Sequence, residues 1–130
     1  MAGFEMKDVR VLVVDDDPIV LKLMASYIGH LGCQADFAKN GKEAVEKVRE
    51  SGYDICFMDI LMPEMNGVEA TQIIREELSQ QLPIVAITSS VMKTTRETCF
   101  EVGMNDFVVK PVSAEIVEAM INTFVFKQPA

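Results

Sequence analysis

The stretch that decides the fold is VLVVDDDP, residues 11–18, in which four apolar residues are followed by three aspartates and a proline. An apolar run of this length predicts a strand buried on both faces, which is typical of parallel sheets. Pro18 suits the first position of a helix, and Asp17 suits the N-cap before it. Because adjacent carboxylates repel one another, the sequence predicts a positively charged partner close to Asp15 and Asp16.

The same alternation of apolar run and amphipathic helix continues along the chain. Strands are predicted at 9–15, 33–38, 53–59, 83–88 and 106–110, and helices at 18–32, 41–52, 68–78, 91–103 and 113–126. In the first helix, the stripe predicted to face the core consists of Val20, Leu23, Met24, Tyr27 and Leu31. Five strands alternating with five helices predict an α/β fold, in which helices cover both faces of a doubly wound parallel sheet.

Composition limits the classes of function. The chain has 130 residues, enough for one domain, and its formal net charge of −8 argues against direct binding of nucleic acid. We expect a cytoplasmic protein, because no apolar run is long enough to enter a membrane and no signal peptide is recognisable. Cys33, Cys56 and Cys99 are odd in number and widely spaced, which predicts reduced thiols. A single histidine, His30, gives little support to Ser-His or Cys-His hydrolysis.

Functional side chains fall at the carboxyl ends of the predicted strands, the edge at which open parallel sheets bind ligands. Asp15 and Asp16 end the first strand, Asp59 the third, Thr88 the fourth and Lys110 the fifth. Clustered carboxylates offer the oxygen ligands that Mg²⁺ prefers, and a carboxylate can act as a nucleophile that forms an acyl phosphate. Lys110 would neutralise charge and Thr88 would donate to a phosphoryl oxygen. The edge therefore predicts Mg²⁺-dependent phosphoryl transfer to Asp59.

Four motifs, VLVVDDDP, FMDILMPEMNG, IVAITSS and GMNDFVVKP, carry a resemblance to a known family. From about Val9 to Phe126 the chain resembles a response regulator receiver domain, the phosphoacceptor module of two-component signalling. Among receivers it is most similar to those of hybrid histidine kinases and multi-step phosphorelays. The resemblance implies a CheY-like, flavodoxin-like fold with strand order 2-1-3-4-5. We expect residues 1–130 to form a single receiver domain, with a core at about 9–126 and no output domain, since only KQPA follows the last predicted helix. Such a domain would be either a stand-alone receiver or a piece of a larger protein.

The resemblance assigns the roles in phosphoryl transfer. Asp59 would be the phosphoacceptor, assisted by Thr88 and Lys110. Mg²⁺, or Mn²⁺ in its place, would be held by Asp15, Asp16, Asp59 and the backbone carbonyl of Leu61. We expect slow hydrolysis of the aspartyl phosphate, because the Leu61 side chain has no polar group to orient an attacking water.

The resemblance also assigns supporting roles. The residues flanking the phosphoryl group would be Leu61, Ser89 and Ser90, and the switch residues would be Thr88 and Phe107. The bond between Lys110 and Pro111 would be cis. Gly67 would follow the cap residue Asn66 at the start of the third helix, where the family more often has aspartate before the glycine.

The resemblance implies a signalling domain, not an enzyme that turns over a substrate. The phosphoryl donor would be a phosphohistidine on a histidine kinase or a histidine phosphotransfer protein. The domain would promote its own phosphorylation and dephosphorylation and so switch its partner-binding surface. Direct contact with nucleic acid and insertion into a membrane are not expected.

Three alternatives stay open from the residues. A metal-dependent phosphatase could use a nucleophilic aspartate in DDDP, with Asp17 two residues after Asp15, although no substrate-covering insertion is evident. A flavin mononucleotide binder would need a Ser/Thr-rich phosphate loop where this chain has carboxylates. A degenerate receiver would act only as an interaction module.

Overall fold

Five strands and five helices alternate through residues 3–89 and 92–127, the part of the chain that the computed structural model describes. The strands are β1 (Arg10–Val14), β2 (Gln34–Ala38), β3 (Ile55–Asp59), β4 (Ile84–Thr88) and β5 (Asp106–Val109). The helices are α1 (Pro18–Leu31), α2 (Gly41–Glu50), α3 (Gly67–Ile73), α4 (Lys93–Glu101) and α5 (Ala114–Phe124). The start predicted for the fourth helix, residue 91, lies outside the described residues.

The strands form one parallel sheet in the order β2-β1-β3-β4-β5. Every residue of β3 and β4 is buried, as are the last four residues of β1. Strands covered on both faces can be apolar without interruption, which explains the run at 11–14. The α/β class, the doubly wound sheet and the strand order are therefore confirmed.

Two apolar clusters fill the spaces on either side of the sheet. Val11 and Val13 of β1 pack with α1 and α5, whereas Leu12 and Val14 pack with α2, α3 and α4. This division follows from the alternation of side chains along a strand. Both clusters include residues of β3, so the end of β3 is fixed from two sides.

The helix caps lie where the sequence predicts them. The side chain of Asp17 accepts a hydrogen bond from the backbone N–H of Ile19 at 2.9 Å. Gly32 ends α1 in the left-handed conformation, with φ of 84°. Asn66 and Glu69 form a reciprocal capping box at the start of α3. These caps satisfy backbone groups that the helices leave without partners.

The stripe predicted for α1 is wrong at Leu23. Met24 and Ile28 are buried, but Leu23 is 48% exposed. Contact with the sheet and α5 follows the row from Met24 to Ile28, four residues apart, and Leu23 is turned away from that row. It lines an open cleft of about 320 Å³ beside Val112. The sequence could not show that the chain between β5 and α5 leaves this space unfilled.

The end of the third helix also differs from the prediction of a regular helix over 68–78. The α-helical part ends at Ile73 and continues as a π-helical turn over Ile74–Leu78. Ser79 N–H bonds to the carbonyl of Ile74 at 2.7 Å, and the Ser79 carbonyl accepts from the Arg75 guanidinium at 3.1 Å. A 3₁₀ turn at Met6–Asp8, before β1, was not predicted either.

All three cysteines are free, as predicted. Cys56 and Cys99 are fully buried, and Cys33 is partly buried with its Sγ 3.7 Å from the sulfur of Met6.

The start of α3 approaches the end of β3 closely at Gly67. A Cβ atom there would collide with the carbonyl oxygen of Asp59 and would lie 2.9 Å from Cα of Ile60. The N–H of Gly67 donates to the carbonyl of Ile60 at 3.2 Å, so a backbone hydrogen bond holds this approach. Glycine is required because its missing side chain leaves room for the loop that follows Asp59.

Gly67→Ala is expected to lower the free energy of unfolding by at least about 2 kcal/mol, because the methyl group must displace backbone. Urea unfolding followed by circular dichroism measures the change. Gly29→Ala is the matched control: a Cβ there meets no atom of the described residues within 4 Å, and removal of a helical glycine should stabilise by about 0.5–1 kcal/mol. A Gly67→Ala protein as stable as wild type would contradict the close approach.

Candidate functional site

The carboxyl ends of β1, β3 and β5 bring two buried carboxylates and an ammonium together. Lys110 Nζ lies 2.9 Å from Asp15 Oδ2 and 3.4 Å from Asp59 Oδ2. Because β5 is the edge strand and β4 separates it from β3, the lysine side chain extends across the end of β4. Lys110 is thus a positively charged partner of the kind that the crowded aspartates predict.

Asp15 is completely buried, and its two carboxylate oxygens have different surroundings. Oδ1 accepts a hydrogen bond from the backbone N–H of Asp17 at 2.9 Å. Oδ2 lies 2.9 Å from the ammonium of Lys110, and no other donor among the described residues bonds to it. A buried carboxylate oxygen with unused acceptor capacity is suited to binding a cation.

Asp15, Asp16 and Asp59 together fit a divalent metal ion. Their carboxylates can each place one oxygen so that all three oxygens lie within 4.8 Å of one another. Asp15 and Asp59 are buried, whereas Asp16 is exposed, so the cluster opens to solvent on one side. Hard oxygen ligands with an open side suit Mg²⁺, which retains several of its waters when it binds to proteins.

The surroundings of Asp59 disfavour the ionised form of its carboxyl group. Burial and repulsion by Asp15 raise the pKa of Asp59 from the ordinary 3.8 to about 6, although the N–H of Leu61 and the ammonium of Lys110 oppose the rise. Burial would lower the pKa of Lys110, but its two carboxylate neighbours outweigh burial and raise it. Lys110 therefore stays charged at neutral pH, and an added cation would relieve the remaining repulsion.

The other predicted residues surround this cluster. Thr88 ends β4 and is 1% exposed, and its carbonyl accepts from the N–H of Lys110 at 2.7 Å. Ser89 is exposed, and Ser90 lies outside the described residues. Phe107 is partly buried against the cluster under α2, α3 and α4.

Two backbone features lie at the ends of the site. The peptide bond between Lys110 and Pro111 is cis. On the opposite side, Leu61 is 66% exposed and its N–H donates to Asp59 Oδ1 at 3.2 Å. Because leucine is apolar, position 61 places no polar side chain beside Asp59.

Helix α2 supports the loop after Asp59, a contact that was not predicted from the sequence. The N–H of Gly41 donates to the carbonyl of Met65 at 2.8 Å, and a Cβ at Gly41 would lie 2.9 Å from the carbonyl oxygen of Asn66. The signal available in the sequence was a glycine directly after the cap residue Asn40. Glycine at a first helical position often marks such a close approach of backbone.

Among the residues described, none of the helices combines the length and the apolar character that crossing a membrane requires.

Comparison with known sequences gives one family for most of the chain. The profile of the family described as response regulator receiver domain matches residues 11–122. Transcription factor SKN7 of Chaetomium thermophilum is 38% identical over 117 residues, a match that covers 88% of this chain and 15% of that protein. The chain therefore corresponds to a small part of this relative.

Comparison with solved structures gives the same family. One match is in the crystal structure of the Saccharomyces cerevisiae histidine phosphotransfer protein Ypd1 with the receiver domain of its downstream response regulator Ssk1. Its TM-score is 0.86 at 28% identity, covering 95% of this chain and 92% of the matched chain. A second is the receiver domain of sensor histidine kinase PA1611 from Pseudomonas aeruginosa, which has a magnesium ion in its active-site cleft. Its TM-score is 0.84 at 28% identity, covering 91% of this chain and 98% of that one.

Proposed function

Because the chain belongs to the response regulator receiver domain family, we propose that it is a phosphoacceptor of a two-component or phosphorelay system and that Asp59 receives the phosphoryl group. The observation that carries this proposal is the placement of the Asp59 carboxylate, at the end of a central strand, 3.4 Å from Lys110 and clustered with Asp15 and Asp16. An ammonium and a cation-binding cluster beside one carboxylate suit it to attack on an anionic donor.

In the proposed reaction, a carboxylate oxygen of Asp59 bonds to phosphorus as the bond to the donor nitrogen breaks. The leaving imidazole retains the electron pair of that bond and takes up a proton. Lys110 stabilises the charge on the transferring phosphoryl oxygens, and the hydroxyl of Thr88 donates to one of them. Little covalent chemistry is required of the protein, since positioning and charge neutralisation account for most of the catalysis.

The residues that would hold Mg²⁺ are Asp15, Asp16, Asp59 and the carbonyl of Leu61, and Mn²⁺ suits the same oxygen ligands. When bound, the ion would supply positive charge to the phosphoryl oxygens and offset the repulsion among the carboxylates. The magnesium-bound structure of the PA1611 receiver supports this part of the proposal.

We propose a phosphohistidine on a histidine kinase or a histidine phosphotransfer protein as the donor, supported by the match to a receiver crystallised with such a phosphotransfer protein. The domain would promote its own phosphorylation and dephosphorylation, without turning over a separate substrate. A cytoplasmic location would bring it to such donors and agrees with three free cysteines.

Incubation with phosphoramidate or acetyl phosphate, followed by intact mass spectrometry, tests the proposal. We expect one phosphoryl group per chain in the presence of Mg²⁺, labile to hydroxylamine as acyl phosphates are, and none after EDTA. Absence of an adduct with both donors at saturating Mg²⁺ would favour a module that only binds partners. Continuous release of phosphate from an aryl phosphate would favour a phosphatase.

Asp16→Asn is expected to weaken Mg²⁺ binding by about tenfold or more, because the exposed carboxylate of the cluster loses its charge. Isothermal titration calorimetry measures the affinity. Asp17→Asn is the matched control, since asparagine caps a helix as well as aspartate does and Asp17 lies outside the cluster. Equal losses of affinity in the two variants would contradict the assignment of Asp16.

Leu61→Asn is expected to shorten the lifetime of the phosphorylated protein several-fold, because the amide can orient a water toward the phosphoryl group. The exposure of Leu61 beside Asp59 lets the substitution occur without repacking the core. Loss of the phosphoryl group over time, after removal of the small donor, measures the lifetime. Leu61→Met is the control and should behave as wild type. An unchanged or longer lifetime in Leu61→Asn would overturn the prediction.

A further inference from the structure

Arg75, which no step of the proposed reaction uses, makes three hydrogen bonds to residues of two different turns. From the π-helical turn after α3, its Nε donates to the Gly103 carbonyl at 3.0 Å and its Nη2 donates to Asn105 Oδ1 at 3.0 Å. Nη1 donates to the Ser79 carbonyl at 3.1 Å. A planar guanidinium with several donors suits such a junction better than a flexible ammonium does.

The turn after α4 is shaped to receive this guanidinium. Gly103 has φ of 102°, in the left-handed region that favours glycine. A Cβ there would also lie 3.1 Å from Cγ and Nε of Arg75. The backbone conformation therefore favours glycine at this position, and the missing side chain lets Arg75 approach the turn closely.

Asn105 connects the junction to the sheet. Its side-chain Oδ1 accepts from the N–H of Ile84 at 2.9 Å, and its own N–H donates to the Ile84 carbonyl at 2.7 Å. Asn105 precedes β5 and Ile84 begins β4, so these bonds join the amino ends of the two strands. Arg75 donates to the same Oδ1 and holds the amide in the orientation that this pairing needs.

Strand β5, like the other edge strand β2, is held less firmly by the sheet than the three central strands are. It has four residues, lies at the edge of the sheet and, among the described strands, pairs with β4 alone. Its register is weakly specified by burial, because Val108 is its one buried residue. A slip by one residue would move Lys110, directly after β5, away from Asp59.

We infer that Arg75 is a positioning residue for the proposed phosphoryl transfer: acting through Asn105, it fixes the register of β5 on β4 and so holds Lys110 beside Asp59. The inference rests on the proposed function. Displacement of a catalytic group by about 1 Å can cost up to about a hundredfold in rate, so a residue far from the reacting atoms can control it.

The test compares the rate of phosphoryl uptake with the affinity for Mg²⁺, in variants shown to be folded by circular dichroism. Arg75→Met is expected to slow uptake by about tenfold or more while the Mg²⁺ affinity stays at the wild-type value, because Asp15, Asp16 and Asp59 are not on β5. Arg49→Met is the matched control, an exposed arginine of α2 that pairs with Glu46 and Glu77. It should leave both quantities unchanged.

Two substitutions of Asn105 keep the test decisive if Arg75→Met does not fold. Asn105→Asp retains the acceptor oxygen and should keep a rate close to wild type, whereas Asn105→Leu should be as slow as Arg75→Met. Where Arg75→Met does fold, the double variant Arg75→Met/Asn105→Leu should be no slower than either single variant, since both act through one contact. Multiplied losses in the double variant, wild-type rates in the single variants, or parallel losses of rate and Mg²⁺ affinity would overturn the inference. Absence of uptake by wild type would instead overturn the proposed function.

Discussion

Asp59→Asn is expected to abolish phosphoryl uptake and, in the same protein, to stabilise the fold in the absence of metal ions. Uptake is lost because an amide cannot form the acyl phosphate. Stability rises because asparagine has a similar volume but no charge in a site where Asp59 is 4% exposed and faces the fully buried Asp15. A residue that supports the fold would show the opposite change in stability, so the two effects together identify a functional carboxylate.

The gain in stability has a defined dependence on pH. The pKa of Asp59 is raised to about 6 in the folded protein, from the ordinary 3.8. Below about pH 4 the Asp59 carboxyl is protonated in both the folded and the unfolded state, so it does not lower the free energy of unfolding. As pH rises from about 4 to about 6 the unfolded chain ionises at Asp59 while the folded state stays protonated, so the wild type loses stability relative to Asp59→Asn, and the loss is complete once the folded carboxyl has ionised. The difference in pKa corresponds to about 2–3 kcal/mol, reached above pH 7.

Urea unfolding in EDTA between pH 4.5 and 8 measures this difference. Asp54→Asn, just before the opposite end of β3, is the matched control and should give no gain, since the Asp54 carboxylate accepts a hydrogen bond from the N–H of Arg10. Added Mg²⁺ should stabilise the wild type and should stabilise Asp59→Asn much less. An Asp59→Asn protein that is less stable than wild type at pH 7.5 would contradict the account of the site.

Lys110→Met is expected to slow phosphoryl uptake by about 10²–10³-fold at saturating Mg²⁺, the usual cost of losing one preorganised donor to a developing charge. The effect is large because Nζ lies between two carboxylates that are almost completely buried. In metal-free protein the variant should also be less stable at neutral pH, because Asp15 and Asp59 are left without a cation. Lowering the pH should reduce that loss.

Lys93→Met, which removes an exposed lysine of α4 that pairs with Glu97, is the control for Lys110→Met. Rates of uptake from phosphoramidate, followed by mass spectrometry, should be the same for this control and the wild type. A rate for Lys110→Met within threefold of wild type would show that Lys110 balances charge in the resting protein without acting in the transfer.

The sequence was most informative at the ends of the strands. A buried strand, a helix start and a cluster of negative charge could all be predicted from VLVVDDDP, because each of these features depends on residues that are adjacent in the sequence. The meeting of Asp15, Asp59 and Lys110 followed from one further step, that parallel strands end at the same edge of a sheet. Residues far apart in the sequence could therefore be placed together wherever the sheet topology alone determined their positions.

Side chains whose placement depends on packing between distant segments could not be placed from the sequence. Leu23 has the spacing of a core residue, but its exposure is set by a cleft beside Val112, nearly ninety residues later. Arg75 is separated from Gly103 by 28 residues and from Asn105 by 30. No local sequence pattern predicts such contacts, since an arginine on a charged helix is more often exposed to solvent.

The measurement that tests the central claim most directly is chemical mapping of the phosphorylated residue. Borohydride reduces an acyl phosphate to an alcohol, which converts a phosphorylated aspartate into homoserine, and peptide mass spectrometry then locates the change. After treatment with Mg²⁺ and phosphoramidate, we predict homoserine at position 59 alone, and none in Asp59→Asn. Homoserine at position 15 or 16, or a phosphoryl group that survives borohydride on a serine or threonine, would contradict the claim.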